Sequence, residues 1–191
     1  MSSRAERVGA GSVALAIEVL DAAQAERELR ALAGLLKDAV DSGASVGFLP
    51  PLSEAEAEAY WRGVIEAVRD GSCVLLGARE TDAGLVGTAQ LLLAMRANGL
   101  HRAEVAKVIV HTTARRRGIG RALMLALAAR ARGLGRTTLV LDTRRGDPSE
   151  ELYTSVGYTL AGVIPRYARS ANGALDASAF YYRVLSEGGQ P

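Results

Sequence analysis

The chain of 191 residues is predicted to adopt a mixed α/β fold. One mostly antiparallel sheet of about seven strands carries helices on both faces. Three observations carry this expectation. Apolar residues recur at helical spacing up to residue 71 and alternate in strand fashion from residue 73 to 110. A glycine-containing turn then joins a strand to a helix and a further short strand, a crossover that makes those two strands parallel. Two strand-like runs around Asn172-Gly173 end the chain. The order β-α-α-β-β-β-α-β-α-β-β fits one mixed sheet covered on both sides.

Each element has a local reason. Val13 to Leu20 alternates loosely and reads as the first strand. Asp21 caps a helix to about Val40, whose Leu29, Leu32, Leu36 and Val40 form one stripe. The stretch from Gly43 to Pro51 is a loop by its glycines and prolines. Ser53 and Glu56 form a capping box for a helix with Tyr60, Trp61, Val64, Ile65 and Val68 on one face. Tyr60 and Trp61 are read as core. Cys73–Arg79 and Leu85–Met95 flank a turn and make a hairpin, and Ala103–Val110 follows as a third antiparallel strand. A helix runs from about Gly118 to Arg132, and Thr138–Asp142 is the strand it feeds. Pro148 opens a short helix that Gly157 closes. Thr159–Tyr167 and Ala177–Leu185 are the last strands. One domain over residues 13–185 is expected, with flexible tails at 1–12 and 186–191.

Composition removes several function classes. Hydrophobic residues at 49% and charged residues at 23% exclude wholesale disorder. One cysteine, Cys73, excludes a disulfide framework and a cysteine-rich zinc site, and two histidines argue against a metal. The longest apolar run is the eight residues from Ala122 to Ala129, too short to span a membrane. Glu18 interrupts the only stretch resembling a signal peptide. A reducing cytoplasm is the expected location. The net charge of +2 is too small to imply a nucleic-acid partner.

The chemistry lies between Val108 and Met124. Gly118 and Gly120 let backbone approach a ligand, the unpaired amides of the helix start favour an anion, and Arg115, Arg116, Arg117 and Arg121 surround the turn. A pyrophosphate-binding turn is one reading; a solvated basic turn before an ordinary helix is the other. A Rossmann fingerprint fails at Leu123, and the Gly-Lys-Ser/Thr of a Walker loop is absent.

The segment Arg115-x-x-Gly118-x-Gly120 resembles the (Q/R)-x-x-G-x-(G/A) turn of the GNAT superfamily of acyl-CoA N-acyltransferases, and Leu152 to Tyr158 resembles its L-Y-x-x-x-G-F/Y segment. Residues 43–48, Asn98 to Val105, Leu141-Asp142-Thr143 and Tyr153 are similar to the tabtoxin-resistance branch, which acetylates an amine of a small β-lactam amino-acid toxin. Thr112 stands where many relatives have proline, a difference expected to alter only the stiffness of the turn. The resemblance implies a GNAT fold with a splayed pair of parallel strands, acetyl-CoA as co-substrate and no metal. It implies that Val108, Ile109 and Val110 pair with the pantetheine arm, and that Arg115, Arg116, Arg117, Gly118, Ile119, Gly120 and Arg121 form the cofactor turn.

Glu104, six residues before Val110, falls about 20 Å along the strand from it, near the thioester end of that arm. Asp142 ends the neighbouring strand. The two carboxylates would attract the acceptor ammonium and take its proton, and Tyr153 would donate to the leaving sulfur. These three positions match the branch's catalytic residues. Read without the resemblance, Glu104 is equally a surface charge, Asp142 a turn cap and Tyr153 a core residue. Phe48 is a further candidate for the acceptor pocket, with Glu104 and Asp142. His111 reads as a surface residue, and Arg144 and Arg145 as contacts to the cofactor's 3′-phosphate or to nothing. Cys73 is far in sequence from the turn, so direct transfer in a ternary complex is expected. The expected partner is a small amine, with no nucleic acid and no membrane; a homodimer is compatible. The competing readings are a protein N-terminal or lysine acetyltransferase, a non-catalytic acetyl-CoA sensor and an arginine-patch nucleic-acid binder.

Overall fold

The computed structural model describes residues 14–185. Val13 and the two tails expected at the termini lie outside the described residues. Seven strands, β1 (Leu15–Leu20), β2 (Cys73–Glu80), β3 (Gly84–Leu93), β4 (Arg102–Val110), β5 (Thr138–Arg144), β6 (Thr159–Arg169) and β7 (Leu175–Val184), form one sheet in the order β1-β2-β3-β4-β5-β7-β6. Every neighbouring pair is antiparallel except β4 and β5. The α4 helix (Ile119–Gly133) makes the crossover between those two, as expected.

Two cores sit on opposite faces. One packs α1 (Ala22–Arg27), α2 (Leu29–Asp41) and α3 (Glu54–Arg69) on the sheet around Leu32, Leu36, Trp61 and Ile65. The other packs α4 and α5 (Ser149–Ser155) around Leu123, Leu127, Leu139 and Tyr153. Trp61 is a core residue, as expected; Tyr60 beside it is only half-buried. The single helix expected from Asp21 to Val40 is two helices. The backbone breaks at Glu28, at φ −93° and ψ 7°, and the Glu28 carboxylate accepts from Arg79 Nη2 at 2.7 Å. The expected Ser53–Glu56 capping box is formed, and Asp21 caps α1 within a second box completed by Gln24.

The feature that shapes the site is a bulge in β4. Thr88 pairs with Ile109, but Gln90 pairs with Ala106, so residues 107 and 108 share the space of one. Lys107 accordingly takes φ 49°, a left-handed backbone that costs a residue with a Cβ about 1–2 kcal/mol. The extra residue exchanges the two faces: Val105 packs under α4, whereas Ile109, an even number of residues later, packs under α2 and α3. A bulge also bends its strand. Here β4 pairs with β5 only from Arg102 to Glu104, opposite Thr138 to Val140, and the strands then separate. The expected splay is present.

Candidate active site

The gap between the diverging strands holds two adjoining cavities. The larger, of about 530 Å³, is lined by Val108, Ile109, Val110, Arg115, Arg116 and Gly120 on one side. Arg144, Pro148, Leu152 and Tyr153 line the other. The smaller, of about 260 Å³, contains Glu104, Lys107, Asp142, Thr143, Tyr153 and Tyr167. Val46, Val108 and Tyr153 border both. Long cleft and small chamber therefore meet at one point.

One wall of the cleft is the end of β4 and the glycine turn that follows it. Gly118, at φ 82°, is the left-handed N-cap of α4. A Cβ on Gly120 would stand 3.2 Å from Leu152 Cδ2, and the bare Cα keeps the cleft open. The four arginines of the turn divide their labour. Arg115 donates to the Val110 carbonyl at 3.1 Å and to Ser42 Oγ at 2.8 Å, tying the turn to the end of α2. Arg117 pairs with the buried Glu80 at 2.7 Å, and Arg121 donates to Ser155. Arg116, at φ 64°, lines the cleft and forms no hydrogen bond or salt bridge among the described residues. Arg117 and Arg121 thus brace the turn through their side chains, and Ile119 is core. Any contact of these three with a pyrophosphate falls to their backbone amides.

Thr112 does more than change stiffness. Its N–H donates to Asp38 Oδ2 at 2.8 Å and its hydroxyl to Asp38 Oδ1 at 2.7 Å, so it anchors the turn to α2 through a bond proline cannot make. His111 faces Thr113 and Asp38 at the exposed rim.

The chamber is made of side chains. Glu104 pairs in register with Val140, so Asp142, two residues on, shares its face of the sheet. Asp142 Oδ2 accepts from the buried Ser178 hydroxyl at 2.7 Å, which also lies 2.9 Å from the Thr143 carbonyl. Tyr153 is both core and site: 8% exposed, it packs against Tyr158 and Tyr181 while bordering both cavities. Burial pushes its hydroxyl up to about 12, against a hydrogen bond with Ser149. Ser149 in turn lies 2.9 Å from Thr143 Oγ1. Phe48 lines a third cavity, of about 260 Å³, on the outer side of the loop at 43–50, and its ring meets Tyr60 edge-on at 5.2 Å. That cavity shares Ser45, Gly47 and Ala168 with the chamber that holds the carboxylates, but Phe48 does not line the chamber itself. Arg144 lines the cleft and holds the Gly43 carbonyl at 3.1 Å, whereas Arg145 pairs with Glu150 away from it. Cys73 is buried among apolar residues, its thiol pushed up to about 12 by burial.

Four groups were not anticipated: Lys107, Tyr167, Ser149 and Ser178. The three non-glycine residues with positive φ among the described residues are Lys107, Arg116 and Arg166. The first two line the site, and the third precedes Tyr167 at a second bulge, in β6. Backbone strain of this kind collects where function over-determines a position.

Solved structures share this architecture. A ribosomal-protein-alanine N-acetyltransferase from Brucella melitensis is 25% identical, with a TM-score of 0.75 over 89% of this chain and 99% of that one. A GNAT superfamily phosphinothricin acetyltransferase from Sinorhizobium meliloti, solved in complex with acetyl-CoA, is 23% identical, with a TM-score of 0.75 over 93% and 92%. An N-acetyltransferase from Staphylococcus aureus is 19% identical, with a TM-score of 0.76 over 91% and 99%. No helix among the described residues is long and apolar enough to cross a membrane. Residues 36–158, more than half of the chain, match the model of the Acetyltransferase (GNAT) family, and the chain belongs to that family of acetyl-CoA-dependent N-acetyltransferases.

Proposed function

We propose that the protein, a single domain over residues 13–185, acetylates a primary amine of a small molecule by direct transfer from acetyl-CoA. The acceptor would be a toxin, an antibiotic or an amino-acid-like metabolite. The observation that carries the reading is the meeting of a cleft of about 530 Å³, beside the glycine turn, with a smaller carboxylate-bearing chamber at Val46, Val108 and Tyr153. The cleft suits an extended pantetheine arm, and the open Cα of Gly120 leaves room for the pyrophosphate.

In this reading Glu104 and Asp142 attract the acceptor ammonium and accept its proton, directly or through water. Backbone N–H groups near the bulge, which the extra residue takes out of the β3 ladder, face the carbonyl oxygen as it gains charge. Tyr153 donates a hydrogen bond to the departing sulfur. Burial holds its hydroxyl protonated at about 12, above a thiol's usual value of about 8.5. It therefore steadies the sulfur by hydrogen bonding more than by giving up its proton. The buried, protonated Cys73 thiol is a poor acyl carrier.

The Brucella relative's description, ribosomal-protein-alanine N-acetyltransferase, favours a peptide acceptor as the second reading. Against it stand the chamber's volume of about 260 Å³ and the presence of Tyr167 and Ala168, from the β6–β7 hairpin, among its walls. An acceptor panel read by CoA release decides. Small amines should turn over faster than peptides beginning with alanine; peptides outpacing every small amine would establish the second reading.

A further inference from the structure

Lys107 is one of two lysines in the chain, and the transfer described above does not use it. It stands on the bulge of β4 with a left-handed backbone that directs its side chain into the chamber of Glu104 and Asp142. Its Nζ lies 5.5 Å from the centroid of the Tyr60 ring and 3.6 Å from the point that a Cβ on Gly47 would occupy. It makes no salt bridge or hydrogen bond with any described residue. Burial lowers its pKa from the ordinary lysine value, and the Glu104 and Asp142 carboxylates oppose that only in part. An aromatic face attracts an ammonium but accepts none of its three hydrogen bonds in the ordinary way. Neither carboxylate reaches salt-bridge distance of this half-buried cation, so its burial is offset only in part, and a directly bound anion relieves more of the cost.

We propose that Lys107 is the residue that selects the acceptor, by binding a carboxylate on it while Glu104 and Asp142 hold its amine. The acceptor is then a small molecule with both charges, separated by a short chain. This rests on the acetyl-transfer reading and adds the substrate class to it. A single negative charge fits better than a phosphate dianion, because two carboxylates already share the chamber. Gly47 belongs to the same device: its bare Cα leaves open the space beside Nζ that the carboxylate fills.

The test offers amines in matched pairs, lysine against cadaverine and γ-aminobutyrate against butylamine, to the full-length protein loaded with CoA. Binding is read by calorimetry and turnover by CoA release from acetyl-CoA. The carboxylate-bearing member should bind about tenfold or more tightly, the usual worth of one charge-assisted hydrogen bond. Lys107→Gln should erase the difference, Lys107→Arg should keep most of it, and the thermal shift caused by acetyl-CoA should be the same in all three. Lys107→Met replaces the glutamine variant if that one does not fold, and if neither folds the wild-type pairs decide. Equal binding of both members by the wild type, binding of neither, or a preference that survives Lys107→Gln overturns the assignment. A protein that binds acetyl-CoA and acetylates plain amines without preference has lost only the Lys107 assignment. One that acetyl-CoA does not stabilise has lost the acetyl-transfer reading itself.

Discussion

The cleft and the chamber adjoin at three residues, yet they are built on opposite plans. The cleft depends on local backbone geometry: the end of β4, a left-handed glycine at the start of α4, and a Gly120 where a Cβ would crowd Leu152. Of its arginines, Arg115, Arg117 and Arg121 hold the turn through side-chain bonds, and Arg116 lines the cleft without one among the described residues. The chamber is side chain: Glu104 and Lys107 from β4, Asp142 from β5, Tyr153 from α5 and Tyr167 from β6. A backbone site accepts one ligand shape and tolerates varied side chains around it. A side-chain site can be re-specified residue by residue while the fold stays the same. In the proposed reading the cleft serves a shared co-substrate and the chamber is free to choose its acceptor.

Substitutions on each side of the boundary should separate the two halves. The largest effect is expected from Gly120→Asp, which puts a side chain against Leu152 and a negative charge in the cleft. Acetyl-CoA at about 100 times its Kd should stabilise the wild type by about 2.7 kcal/mol. The variant should show no such thermal shift and only background turnover. An undiminished shift would mean that the cofactor lies elsewhere. Next come Glu104→Gln and Asp142→Asn, each expected to lower turnover about 10²-fold or more, the range for losing a general base, with acetyl-CoA affinity unchanged. Near-full activity in both variants across the pH range would move proton removal to solvent.

Tyr153→Phe tests the boundary itself and should cost about 10-fold to 10²-fold in rate. With its hydroxyl at about 12, no alkaline loss of rate should be traceable to it near the ordinary tyrosine value of about 10. The same shift has a stability consequence. Between about 10 and about 12 the folded state holds a proton that the unfolded state has released, so its contribution to stability is full below about 10 and declines as pH rises. Tyr153→Phe should remove that part of the alkaline decline, read from denaturation midpoints at several pH values. An unchanged rate in a folded variant would exclude the hydroxyl from the reaction. The smallest effect belongs to the anchor of the turn. Asp38→Ala and Thr112→Pro should each cost about 1 kcal/mol, and the double variant should cost less than the sum, because both remove the same pair of hydrogen bonds. Full additivity would show that the anchor contributes nothing.

The same contrast explains what could be read from the chain alone. The cleft was legible because a glycine turn between strand and helix is contiguous, and its requirements fall on a few neighbouring residues. The parallel crossover, the Asp21 cap and the Ser53–Glu56 capping box were legible for the same reason. The break at Glu28 was not: the partner that Glu28 meets there, Arg79, lies 51 residues away. In the chamber, Glu104, Asp142 and Tyr153 emerged through likeness to a family, and the register of β4 with β5 brings them together. Lys107 was passed over because simple alternation would turn it away from Glu104, and only the bulge brings it round. A lysine between apolar residues of a strand, in a chain so poor in lysine, was the available signal. Ser178 and Tyr167 lie on the last two strands, whose placement beside β5 no local pattern specifies.

The bulge in β4 also works as a reading-frame shift. Residues before it are dealt alternately to the two layers in one phase, and residues after it in the other. Deleting one residue there would leave every amino acid chemically intact but send Ile109 toward the α4 layer and Val110 toward α2 and α3. Lys107 would turn away from the chamber, and β4 would straighten along β5. The number of residues in this strand is therefore constrained more tightly than their identity. Drift can exchange one apolar residue for another along β4, but a one-residue gain or loss would swap the layers that Ile109 and Val110 pack against and alter the gap between β4 and β5 in a single step.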